Sequence, residues 1–406
     1  MNIFKNYAFT IYLIIGIVIG GISGLVFGEK ASIVKPIGEL FLNMMFVLIV
    51  PLVFLSVSSA IYNMKKMNMI GKVLGNVLLV FLGSAIIAAT TAYFLTTIYN
   101  PLSGVDKTMI MAHLPAYTKA HGLTAGDIFV NTFTVPDFLQ LFTKSNLLPL
   151  IVFSVLFGLA TASSKEHGKM IAALLNDGMA IVLRMMRIIM TIAPVGLGCY
   201  FADTIGTIGG QIFNGYLNAF ILYLILAAFC FFVLNTFYVW LAGGRKGVVV
   251  YWKHILTPAL TAVATSSSAA CIPVNIEASE KMGVPRSIAE AVIPLGTNMH
   301  KDGSVMGGIM KIVFILTIFG QETQLHSNGI FIIGVAILVG AVMGAIPSGG
   351  MTGELLICSI FGFSPQLAAT LMVISTIIDI PATLLNSTGN IVSSILVARL
   401  SRKPSK

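Results

Sequence analysis

An integral membrane protein built of α-helices is the fold class that the sequence predicts, and three observations carry it. Of 406 residues, 57% are hydrophobic and only 10% charged, with a mean hydropathy of +0.95. A soluble globular chain carries about a quarter charged residues. Apolar runs near the ~20 residues needed to cross roughly 30 Å of hydrocarbon recur from end to end. The basic residues sit in short clusters between those runs, not along one face. Despite a net charge of +9, that is the pattern of membrane topology and gives no reason to expect a nucleic-acid partner.

The first run, MNIFKNYAFTIYLIIGIVIGGISGLVFGE, carries Lys5 ahead of an apolar stretch and small residues, as a secretory leader would. The stretch is long enough to span and the next run follows closely, so it reads as the first span. Full-length helices are expected over 8–28, 38–62, 73–98, 146–163, 171–201 and 215–242, each bounded by polar or Gly/Pro punctuation. Residues 99–145 hold Pro101, Pro115 and Pro136 and form the longest polar stretch, an external loop with interfacial pieces. The positive-inside rule places four basic clusters, with both termini, in the cytoplasm: Lys65, Lys66 and Lys72; Lys165 and Lys169; Arg245, Lys246 and Lys253; Arg399, Arg402, Lys403 and Lys406. The expected location is the plasma (inner) membrane, multi-pass. Cys199, Cys230, Cys271 and Cys358 lie in apolar surroundings without a Cys-x-x-Cys pair, so neither a disulfide nor a zinc site is expected. No nucleophile–base pair points to an enzyme.

After Gly243 the pattern changes. Apolar runs shorten and are interrupted at TSSSAACIP (265–273), GTNMHKDGS (296–304), IPSGGMTGE (346–354) and DIPATLLNSTGN (379–390). Non-helical backbone at membrane depth is tolerated only where it is buried in protein or lines a cavity. Discontinuous helices of this kind build midplane sites in transporters. Ser267-Ser268 with Pro273, and Pro347 to Gly350, each lie midway between apolar arms, so residues near 255–283 and 330–360 read as two re-entrant hairpins. The runs after them, about 284–318 and 364–398, carry several polar residues, which fits hairpin plus helix repeated twice.

FLNMMFVLIVPLVFLSVSSAI (41–61), NLLPLIVFSVLFGLA (146–160), APVG (193–196) and SSAACIPVN (267–275), in this order, resemble the dicarboxylate/amino acid:cation symporter family. The resemblance covers nearly the whole chain. It implies eight transmembrane helices plus two hairpins, a homotrimer in lipid, and an elevator motion. Residues 1–72 and 99–215 would be mainly scaffold; 73–98 and 216–406 would be mainly transport domain.

The resemblance also assigns site residues. The family's eighth helix reads Asp-x-x-x-Asp-x-x-Arg-Thr-x-x-Asn-x-x-x-Asp, and here that spacing falls on Ser375, Asp379, Ala382, Thr383, Asn386 and Asn390. Spacings of four, three and seven put Asp379, Thr383 and Asn386 on one helical face. By resemblance Asp379 holds a substrate ammonium and Asn386 an α-carboxylate, with Ser267, Ser268, Pro347, Ser348, Gly349 and Gly350 at the hairpin tips gating the site. Ala382 stands where acidic-substrate members carry arginine, and Ser266 where some supply an alternative one. A neutral, small or polar amino acid is therefore the expected substrate. Lys301 is the one nearby cation that would favour a dicarboxylate or acidic amino acid instead.

The family's Asn-Met-Asp-Gly-Thr falls on His300, Lys301, Asp302, Gly303 and Ser304. His300 and Asn390 replace sodium-binding residues, Phe81 and Ala85 replace a tyrosine and a serine, and Ser84 keeps a hydroxyl. The ion-coupling set is thus Ser84, His300, Lys301, Asp302, Asn386 and Asn390. The coupling ion is sodium or a proton, with no other cofactor. Lys301, held by Asp302 and carbonyls, is expected to act as a built-in cation, and His300 offers proton coupling. Glu277, Glu290 and Lys311 are candidates for a charge network, and Glu354 for a gate or an exposed rim. An uncoupled anion-conducting or ligand-sensing relative is the competing class.

Overall fold

The computed structural model describes residues 3–66, 71–104, 130, 133–143, 146–208, 210–343 and 350–401. Among them the regular elements are helices, without a strand. Helices α1 (Ile3–Phe27) and α2 (Lys35–Lys66) are joined by a 3-10 turn, and α3 (Gly71–Ile98) follows. After the long polar stretch come α4 (Leu147–Ser163), α5 (Lys165–Met190), α6 (Ala193–Ile208) and α7 (Gly210–Ala228). Several of these are long and apolar enough to span a membrane. Exposed side chains such as Val18, Val26, Leu79 and Leu174 give them apolar outer faces.

The helix expected over 171–201 is instead α5 and α6, bent by 61° at Thr191-Ile192. Pro194 has no N–H to offer the Met190 carbonyl, so the α5 ladder cannot continue. The Thr191 hydroxyl takes up the Ile188 carbonyl at 2.7 Å instead. α6 packs along α1 at very short range: a Cβ on Gly20 would lie 2.1 Å from the Gly198 carbonyl oxygen. Gly20 is required there by close approach, the small-residue packing that holds helices together where lipid is as apolar as leucine. α2 packs on α4, α5 and α6, completing this group.

The run expected to end at 242 continues. A π-helical turn, Phe229–Leu234, leads from α7 into α8 (Asn235–His254), which bends at Gly244. Its φ of 60° and ψ of −156° are open only to glycine. The first expected hairpin is present as α9 (Leu256–Thr265) and α10 (Ile272–Lys281). Its tip turns at Ser266, whose φ of 45° is left-handed. Asn275 docks α10 onto the last helix by donating to the Ser387 carbonyl (3.1 Å) and hydroxyl (3.0 Å).

α11 (Arg286–Met299) and α12 (Asp302–Ile318) are separated by an extended break at His300 and Lys301. A short α13 (Glu322–Ser327) precedes α14 (Gly329–Val342) and α15 (Gly350–Phe361), the two arms at the second expected hairpin. The tip residues Pro347, Ser348 and Gly349 lie outside the described residues. α16 (Leu367–Ser401) ends the chain and corrects one expectation: the polar stretch 379–390 does not interrupt it, and Pro381 sits inside an unbroken helix. An interior proline costs about 3 kcal/mol. Here packing of α16 against α3, α9, α11, α12 and α15 holds the helix regardless. α12 is buried from Gly303 to Ile318 and packs on α3, α14 and α16, so the core lies between these four helices.

Candidate functional site

The break between α11 and α12 brings the unusual polar residues together. His300 is 2% exposed. Its Nδ1 lies 3.0 Å from Asn390 Oδ1 on α16, and its Nε2 lies 2.7 Å from Ser84 Oγ on α3 and 3.3 Å from Asp302 Oδ1. Ser84 also donates to Asp302 Oδ1 at 3.3 Å. The Phe81 ring stacks on the imidazole at 4.6 Å between centroids. Phe81, His300 and Asn390, three separate departures from the family pattern, therefore form one contact cluster. An aromatic face and a side-chain amide enclose the imidazole at the centre of this cluster.

Asp302 is gripped by His300 and Ser84 and not, as expected, by Lys301. The reason is the backbone: His300 at φ −106° and ψ 104°, then Lys301 at φ −137° and ψ 60°, turn successive side chains to opposite sides before α12 begins. Lys301 is only 6% exposed, and among the described residues its ammonium makes no hydrogen bond and no ion pair. Its electrostatic partner is the Asp379 carboxylate on α16, outside ion-pair distance. Asp379 itself is exposed, while Ala382 and Thr383 one turn on are buried.

Asn386 is committed to α12. Its Oδ1 accepts from the Ser304 N–H at 3.3 Å and its Nδ2 donates to Ser304 Oγ at 3.1 Å. Gly303 is required here, since a Cβ would meet the Ala382 carbonyl oxygen at 2.5 Å. Tyr223 OH donates to the Gly303 carbonyl at 2.7 Å. In the first hairpin, Ser267 Oγ accepts from the Ala270 N–H, and Ser268 is buried. Gly350 opens α15. The set from the sequence thus divides: Ser84, His300, Asp302 and Asn390 are bonded to one another, Asn386 braces the start of α12, and Lys301 and Asp379 stand apart, opposite charges beyond ion-pair distance.

Several polar residues named from the sequence have surroundings other than those expected. Ser266 holds a left-handed conformation, and its buried hydroxyl has no hydrogen-bond partner among the described residues. Lys311 pairs with Glu354 at 2.5 Å, and Ser375 bonds to both. Glu354 is wholly buried, not an exposed rim residue. Glu277 and Glu290 instead meet Lys281 and Arg286 on the surface. An isolated ionisable residue in an apolar helix was the available signal for Lys311 and Glu354. Their pairing spans 43 positions, beyond any local pattern.

The sequence model of the sodium:dicarboxylate symporter family matches residues 9–400. A C4-dicarboxylate transport protein of Rhodospirillum rubrum is 27% identical, the alignment covering 96% of this chain and 87% of that one. Another C4-dicarboxylate transport protein, from Bacillus subtilis, is 26% identical over 98% and 94% of the two chains. A proton/sodium-glutamate symport protein of Bacillus subtilis is 24% identical over 97% and 93%.

Proposed function

The chain belongs to the sodium:dicarboxylate symporter family, and from that membership we propose that it imports a small acidic amino acid by cation-coupled symport, with Lys301 receiving the side-chain carboxylate. The observation that carries this reading is the Lys301 side chain, 6% exposed, whose ammonium makes no hydrogen bond and no ion pair among the described residues. A buried charge without a partner is costly, so a site that keeps one is built for an anion that arrives. The names of the relatives, dicarboxylate and glutamate transporters, support the same class over the neutral amino acid that Ala382 suggested. Asp379 adds the finer choice. Lys301 and Asp379 together are neutral, which suits an amino acid carrying two carboxylates and one ammonium better than a bare dianion.

In this reading Asp379 takes the ammonium, while Thr383, Ser267, Ser268 and the second hairpin tip from Pro347 to Gly350 close over the substrate. Movement follows an elevator scheme within a trimer of eight-span protomers, residues 73–98 and 216–406 travelling against 1–72 and 99–215. The protein works in the inner membrane with both termini in the cytoplasm. A competition panel in proteoliposomes tests the substrate. Aspartate or glutamate is expected to block uptake, succinate more weakly, and serine least; block by serine alone overturns the reading.

The coupling ion is a proton taken up at His300. An imidazole enclosed by Ser84, Asp302, Asn390 and Phe81 occupies the space that hard oxygen ligands would offer sodium, and imidazole titrates in the physiological range. His300→Asn keeps a hydrogen-bonding amide but no titrating group. An imposed inward proton gradient is expected to stimulate uptake by the parent and not by this variant. Equal stimulation of both would remove His300 from coupling.

A further inference from the structure

We infer that the bend at Gly244 carries a binding site for the phosphodiester headgroup of an anionic phospholipid, formed by Arg245, Lys246 and Lys253 with Trp240 beside them. Beyond Gly244, residues 245–254 of α8 fold back along the stretch before it. Trp252 stacks on Phe232 at 5.6 Å, meets Phe231 edge-on and donates from its indole to Thr236 Oγ1 at 3.1 Å. Nearer the bend, a Cβ on Gly247 would stand 3.2 Å from the Val239 carbonyl oxygen. These contacts set two antiparallel arms with the bend as their tip, in a register that brings Trp240 level with Lys246.

The outer face of the returning arm changes character along its length. Arg245, Lys246, Val249 and Lys253 are exposed, while Tyr251 and Ile255 turn inward and are buried. Ile255 keeps a helical conformation, so α9 extends the same face with Leu256 and Leu260, both exposed. Spacings of three and four residues put the exposed side chains on one stripe. The stripe is basic near the tip and apolar beyond Lys253, the change expected where headgroups give way to hydrocarbon. Trp240, half exposed, has the position of an interfacial anchor.

Charge identifies the occupant. Exposed Lys35, Lys169, Lys281 and Arg286 each meet a nearby carboxylate. Arg245, Lys246 and Lys253 meet none among the described residues. The sequence holds no Asp or Glu between Asp203 and Glu277, so no neighbour in the chain supplies a counter-charge. A fork-shaped guanidinium beside two ammonium groups matches phosphate oxygens. The positive-inside rule turns this tip to the cytoplasmic leaflet, where acidic lipids draw basic segments to the surface. A free phosphate ion shares that chemistry; the apolar end of the stripe and the tryptophan favour the lipid, whose acyl chains would lie along Leu256 and Leu260.

The protein contains its own reporters, since Trp240 and Trp252 are its two tryptophans. Full-length protein is reconstituted in phosphatidylcholine bilayers holding a minor share of lipid brominated on its acyl chains, either phosphatidylglycerol or phosphatidylcholine, and quenching of tryptophan emission is compared. Brominated phosphatidylglycerol is expected to reach half-quenching at a mole fraction at least about tenfold lower. Lys246→Gln should narrow that preference roughly fivefold, and Arg245→Gln, Lys246→Gln and Lys253→Gln together should abolish it. These side chains are exposed and unpaired, so the melting temperature of the variants should not change. Lys169→Gln, in another basic cluster, should leave the preference as it is. Equal quenching of the parent by the two lipids, a loss just as large in Lys169→Gln, or reversal by millimolar inorganic phosphate overturns the lipid site. The measurement uses no transported substrate, so its outcome is independent of the competition panel.

Discussion

Lys301→Met is expected to weaken binding of an acidic substrate roughly 100-fold or more while raising the thermal stability of the substrate-free protein. The two effects have one cause. Removing one partner of a desolvated, hydrogen-bonded charge pair costs about 2–5 kcal/mol of binding, and Lys301 is the buried cation available to a substrate carboxylate. Among the described residues the same ammonium has no hydrogen-bond or ion-pair partner, so replacing it with an apolar side chain of similar length removes a desolvation cost. Lower activity with higher stability is the mark of a functional site held at the expense of the fold. Inhibition constants for aspartate, read beside melting temperatures in detergent, check both signs. If binding is unchanged, or if stability falls along with it, Lys301 is a structural residue.

The second large effect concerns Lys311 and Glu354, 1% and 0% exposed at their side chains. They tie α15, the second arm of the second hairpin, to α12, and Ser375 adds a bond from α16. Lys311→Met alone or Glu354→Leu alone leaves a buried charge uncompensated and should destabilise the protein by about 3–5 kcal/mol. The double variant should recover most of that loss. Glu354 Oε2 is already buried without a partner, so the pair is imperfectly satisfied and an apolar replacement loses little. Denaturation of the three variants measures the cycle. Additive losses in the double variant would mean that the two charges do not depend on each other.

The comparison of sequence with structure turns on which residues interact locally. The helix ends near 265–273 and the break at His300 and Lys301 were legible because each depends on a polar or Gly/Pro interruption of a short apolar run, and α9 to α12 begin and end near those interruptions. The same reasoning overreached at 379–390, where a proline and six polar residues lie in a helix that its neighbours keep whole. It fell short at 171–201, where one missing N–H at Pro194 outweighs a continuous apolar pattern.

For the site, the sequence identified the residue types and left their partners open. Phe81, His300 and Asn390 looked like three unrelated substitutions, yet they touch across α3, the break and α16.

What the sequence by itself determined is the membrane-helical class and the position of the broken segment at His300 and Lys301. These follow from hydrophobic period and from local backbone chemistry, which act over a few residues. Only the tertiary structure decided that Asp302 belongs to His300 and Ser84, that Lys301 stands apart facing Asp379, and that Lys311 finds Glu354. In an apolar interior each charge must find a partner or go without, and helices distant in the chain settle which, through packing that no local pattern records.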